Sequence, residues 1–139
     1  MDEINEITED DALNELENGY DMAEELLRDT DKTEEFLNRL EDKLKVIPKI
    51  GSKLALLPIF ISMVRDYIRK VYTYVPLGTI VAILSALIYV FSPFDLIPDA
   101  IPGAGLIDDT LVITACLKLV GSDIYEYQEW KKSKKNDVN

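Results

Sequence analysis

The chain has 139 residues, 47% hydrophobic and 29% charged, with a formal net charge of −11, which suits one hydrophobic core and not two. That negative balance argues against nucleic-acid recognition, which needs clustered Lys and Arg against phosphate. There is no His and a single cysteine, Cys116, so the commonest general base and metal ligand is missing and no intrachain disulfide can form.

The charge is unevenly spread. Residues 1–45 carry 17 acidic and 5 basic side chains, whereas residues 46–139 carry 9 and 10. The first residues are acidic and lack an apolar stretch, so no cleavable secretory signal is expected there. Over residues 11–29, Leu13, Leu16, Tyr20, Ala23, Leu26 and Leu27 recur at three- and four-residue steps. This spacing predicts one amphipathic helix, weakened at Gly19. A second is expected to open at Asp31, with Glu34 three residues on in the manner of a capping box, and to close at Pro48. Phe36, Leu37, Leu40, Leu44 and Ile47 fall on one of its faces. The acids of residues 1–45 then form either a solvated face over a packing stripe or an arm that docks a protein partner, preferably a basic one.

Ile50, Gly51 and Ser52 read as a linker, and Pro58 suits the first turn of a helix reaching about Tyr72. Arg65, Asp66, Arg69 and Lys70 gather toward the C-terminal end of that helix, where cations complement its dipole. Residues 71–94 follow, 24 residues without a formal charge. A run of that length is a transmembrane candidate, although its helical part, residues 76–91, would reach only about 24 Å. If it spans, the positive-inside rule puts Arg65, Arg69, Lys70 and the N-terminus in the cytoplasm of a cell-membrane protein. The alternative is a soluble cytoplasmic all-α domain in which this helix is the core element, wrapped by its amphipathic neighbours. Tyr72, Tyr74 and Tyr89 suit either a membrane interface or a core.

A further helix is expected from Asp108 or Asp109 to Gly121. It contains Lys118 and is too short to cross a bilayer alone. Cys116 within it reads as a packed small hydrophobe. A final helix over residues 122–132 carries Ile124, Tyr125, Tyr127 and Trp130, and residues 133–139 form a lysine-rich polar tail after Lys131 and Lys132. The fold class is all-α, built round a hydrophobic helical hairpin with acidic amphipathic helices ahead of it.

Between the two apolar helices lies Ser92-Pro93-Phe94-Asp95-Leu96-Ile97-Pro98-Asp99, then Pro102-Gly103-Ala104-Gly105 and Asp108-Asp109. This long, irregular pattern resembles the YkvA-like family, a domain of unknown function known as DUF1232. The fuller likeness runs from about Val46 to Trp130, leaving the acidic first third outside it, so a YkvA-like domain is expected over residues 46–132. The resemblance implies a small helical domain, often described as a membrane protein, with no established activity and no catalytic residues to carry over.

Read as physics, the prolines at 93, 98 and 102 forbid regular helix, while Phe94, Leu96, Ile97 and Ile101 are too apolar for a free surface loop. A packed loop needs partners for its backbone. Ser92, Asp95, Asp99, Asp108 and Asp109 are short acceptors that can cap the flanking helices and brace the turn at Pro102, Gly103 and Gly105. The sharper reading gathers Asp95, Asp99, Asp108 and Asp109 round a divalent cation, but their spacing matches no EF-hand. No cofactor, resident metal or small-molecule substrate is indicated, and without His no hydrolase triad has a base. The residues thus suggest a non-enzymatic, membrane-associated helical protein binding a partner through residues 1–45. The alternative is a soluble acidic interaction protein that neutralises a basic partner, as immunity proteins and antitoxins do.

Overall fold

The computed structural model describes residues 9–46, 54–91 and 109–137, which contain six α-helices and no strand. They are α1 (Glu9–Asn18), α2 (Tyr20–Leu27), α3 (Thr30–Val46), α4 (Leu57–Ile68), α5 (Leu77–Phe91) and α6 (Asp109–Asp137). The all-α expectation holds. The helix expected over residues 11–29 is divided at Gly19 into α1 and α2. Asp29, and not Asp31, caps α3: its Oδ1 accepts from the Lys32 amide at 3.2 Å. Glu34, expected to close a capping box, instead reaches across to α4. α6 breaks at Val120 (φ −130°, ψ 19°), beside the Gly121 at which the sequence pattern changes helix.

α5 is the axis of the molecule. All ten residues from 80 to 89 are buried, and α1, α2, α4 and α6 all pack against the helix. Against it lie Ala12 and Leu16 of α1, Ala23 of α2, Phe60, Met63 and Val64 of α4, and Val112 and Cys116 of α6, all in one hydrophobic cluster. Each fully buried Leu, Ile or Phe contributes about 1.5–3 kcal/mol. A helix apolar all round needs cover all round, and over residues 80–89 the chain's own helices provide it.

The single helix expected across residues 71–94 is not seen among the described residues. Residues 71–76 are not helical, and α5 has 15 residues, about 22 Å against a hydrocarbon layer of about 30 Å. No helix among the described residues is long and apolar enough to cross a membrane.

One polar group interrupts the greasy helix. Ser85, 1% exposed, donates its hydroxyl to the Leu16 carbonyl at 2.5 Å, meeting the need of a buried polar group for a partner. The approach is so close that a Cβ on Gly19 would overlap Ser85 Oγ. Gly19 has ordinary helical torsions (φ −91°, ψ 0°), so space and not backbone strain requires glycine here. By contrast, a Cβ on Gly78 would point into open space, with nothing beyond its own stretch of helix within 4 Å. Gly19→Ala should lower stability by about 1–3 kcal/mol through overpacking. Gly78→Ala should leave stability unchanged or raise it by up to about 1 kcal/mol. Chemical denaturation of both variants checks the contrast, and adding Ser85→Ala to Gly19→Ala should recover part of the loss.

Candidate functional site

Ser92, Pro93, Asp95, Pro98, Asp99, Pro102, Gly103, Gly105 and Asp108 lie outside the described residues, and Asp109 is described only as the backbone that opens α6. The expected capping, bracing and cation site falls there with them. Among the described residues, no group of three or more His, Cys, Asp or Glu side chains is placed to hold a metal ion. Cys116 is fully buried and burial pushes its thiol up to about 12, which suits the packing role read from its neighbours.

Two arginines of the α4 C-terminal turn clamp α3. Arg65 forks onto Glu41, Nη1 to Oε2 at 2.9 Å and Nη2 to Oε1 at 3.1 Å, and Nη2 also donates to Asn38 Oδ1 at 2.8 Å. Its buried Nε lies 3.4 Å from Glu34 Oε1, near enough for attraction but not aligned as a hydrogen bond. Arg69 forks onto Glu34 at 2.5 and 3.2 Å. Hydrogen bonds from Arg69 to Glu34 and from Arg65 to Glu41 hold both carboxyls below their usual range, against the opposing effect of burial.

A second network joins α4 to α6 through two i, i+4 pairs. Tyr127, 2% exposed, donates to Asp66 Oδ2 at 2.6 Å, so its oxygen accepts from Ser62 Oγ at 2.5 Å. Lys131 Nζ closes the ring with bonds of 2.8, 3.1 and 3.0 Å to Ser62, Asp66 and Tyr127. Burial, then the bond to Asp66, raises the Tyr127 phenol above its ordinary value. Above this ring Tyr72 packs edge-on to Tyr74 and Tyr127 and tilted against Trp130, with ring centroids 4.7–5.8 Å apart. Lys134 lies over Trp130. The positions 62 and 66, like 127 and 131, fall on one helical face each; the spacing was readable, but the facing of the two helices was not.

An open groove of about 520 Å³ lies between α2, α4 and α5. Leu27, Ile68, Leu77 and Val81 give it apolar walls, and Arg28, Lys70 and Glu24 bring charge to it. Lys70 owes its position to the way α4 ends. Its amide bonds the Tyr67 carbonyl at 3.0 Å and the Val71 amide bonds the Asp66 carbonyl at 2.9 Å, the paired bonds of a Schellman turn. Such a turn needs one left-handed residue after the C-cap, and Lys70 supplies it with φ 63°. This is why the helix stops at Ile68 and not at the expected Tyr72.

Two consequences can be measured. A left-handed torsion costs a non-glycine residue about 1–2 kcal/mol, and glycine loses about 0.5–1 kcal/mol more entropy on folding. Lys70→Gly should therefore raise stability by about 0.5–1 kcal/mol, seen as a higher denaturation midpoint. The lowered carboxyls of Glu34 and Glu41 contribute stability that is complete above the unfolded value of 4.5 and lost as pH falls through their depressed folded values. Arg65→Met should cost about 1–3 kcal/mol at neutral pH and flatten the acid limb of a stability-against-pH curve.

With this geometry in place, comparison with known proteins locates the chain. A family model described as "Protein of unknown function (DUF1232)" matches residues 79–115, which run from the first turn of α5 into α6. The "Uncharacterized membrane protein YkvA" of Bacillus subtilis (strain 168) is 32% identical over 72 residues, 52% of this chain and 68% of that protein. No solved structure matches. Most of the hydrophobic axis α5, the Pro- and Asp-rich segment after it and the opening turns of α6 lie in the region the family model matches, and the chain belongs to the YkvA-like family of DUF1232 proteins.

Proposed function

We propose that this protein is a membrane-associated, non-enzymatic helical protein that holds a protein partner on the acidic surface of α1 and α2. Membrane association is supported by its Bacillus relative, which is named a membrane protein. Because α5 is enclosed by its own helices, attachment is by the surface of the fold. The observation that carries the partner reading is the division of α1 and α2 into two sides. Ala12, Leu16 and Ala23 are consumed in the core, while Glu17, Asp21, Glu24, Glu25 and Asp29 are exposed. Such a surface speeds encounter with a cationic partner and sets its specificity more than its affinity. The non-enzymatic reading is supported by the absence of His and by the buried state of Cys116.

A second reading, an acidic interaction protein that acts without a membrane, is favoured by the burial of residues 80–89 of α5 under the neighbouring helices. Cell fractionation decides between them. The proposed function expects the chain in the membrane pellet and its release by carbonate without detergent, whereas recovery in the supernatant before any wash would overturn it. Reversing charge with Glu17→Lys, Asp21→Lys and Glu25→Lys should abolish crosslinking to the partner at low salt with the denaturation midpoint unchanged. An undiminished crosslink would exclude the acidic surface.

A further inference from the structure

The groove between α2, α4 and α5 has the make-up of an amphiphile site. Its volume of about 520 Å³ lies within the range of about 300–1,000 Å³ usual for small-ligand pockets. Leu27, Ile68, Leu77 and Val81 line it, with the cations Arg28 and Lys70 and the one acid Glu24. In a chain of net charge −11 a lining with a cationic excess is locally out of character. Glu24 offsets one of the two cations, so the groove matches a ligand of single negative charge better than a multiply charged one.

Two further observations point the same way. Lys70 occupies a left-handed position (φ 63°) that glycine would fill without strain, and strain retained beside a groove directs attention to function there. Lys70 also leads into the uncharged turn of residues 71–76, and there and at the start of α5 Val71, Tyr74 and Leu77 are 52%, 78% and 53% exposed. Leu77, the first residue of α5, follows this turn directly and lines the groove. A tyrosine at the edge of such a surface suits the headgroup level of a bilayer.

We infer that this groove binds an anionic phospholipid of a membrane leaflet. One acyl chain lies against Leu27, Ile68, Leu77 and Val81, the phosphodiester pairs with Arg28 and Lys70, and Val71 and Tyr74 sit at interfacial depth. Apolar contact carries the binding, because the net charge of the chain opposes approach to an anionic surface; the two cations select the headgroup. The inference rests on the membrane-associated reading and names the lipid contact it requires.

The test is flotation of the full chain with vesicles of phosphatidylcholine alone and of phosphatidylcholine mixed with phosphatidylglycerol. Both should bind, the mixed vesicles about fivefold more tightly. The pair Arg28→Ala with Lys70→Gly should erase that preference while keeping phosphatidylcholine binding. Lys70→Gly relieves backbone strain, so lost preference in a variant with an undiminished denaturation midpoint is not lost folding. Tyr74→Ser with Leu77→Asp should weaken binding to both vesicles by about tenfold. Variants that bind like the wild type would overturn the groove and leave membrane association standing. A chain that floats with neither vesicle yet pellets with cell membranes would also overturn it, with a membrane protein as the attachment. Absence from the membrane pellet would instead overturn the functional reading beneath it.

Discussion

An α-helix with no charge on any face must be surrounded, and the architecture of this protein follows from how α5 is surrounded. Lipid could do it; here four helices do. Enclosure by protein sets a demand that lipid would not, because each neighbour must fit the helix surface side chain by side chain. Ser85 makes that demand visible. Its hydroxyl, buried at 1% exposure, is tolerable only because α1 ends with the Leu16 carbonyl in reach, and α2 can begin so close only because residue 19 has no Cβ. The division between α1 and α2 is therefore dictated by α5, which lies over 60 residues away in sequence.

With the apolar stripes of α1, α2 and α3 committed to the core, the charged groups are left for the surface and for orienting the helices. The two arginine forks fix α3 on α4, and their planar geometry sets register as well as attraction. The ring of Ser62, Asp66, Tyr127 and Lys131 does the same for α6 on α4. Both lie at the rim of the core, where water relieves the desolvation that would make such pairs costly at depth. The basic residues before the uncharged run, which taken alone suggest a membrane-orienting cluster, are thus largely engaged within the fold: Arg65 and Arg69 bind carboxylates of α3.

A member of a family with a membrane-protein relative need not present a spanning helix to a membrane. The turn after α4 and the groove beside it offer what an interface takes: exposed Val71, Tyr74 and Leu77, and cations at one end. The same turn contains the one left-handed non-glycine residue among the described residues, so local strain, exposure and the groove coincide in one segment.

Periodicity and composition determined the helices almost individually. The stripe Leu13, Leu16, Ala23, Leu26 and the stripe Phe36, Leu37, Leu40, Leu44 pack as their spacing requires, because a 3.6-residue repeat leaves an amphipathic segment one way to bury its apolar side. The Ser92 to Asp109 motif determined the family, since an irregular string of prolines and aspartates is far more specific than any hydrophobic pattern. Tertiary structure alone decided what covers α5, because hydropathy reports that a surface must avoid water and is silent on whether lipid or protein replaces it. It also decided the site. Glu34 looked like a local cap until α4 brought Arg69 to it. Lys70 was one cation among several until the end of α4 turned it into the groove beside Arg28. Contacts of that kind join residues remote in sequence through the docking of rigid helices, and helix docking is settled by shape complementarity that no single segment encodes.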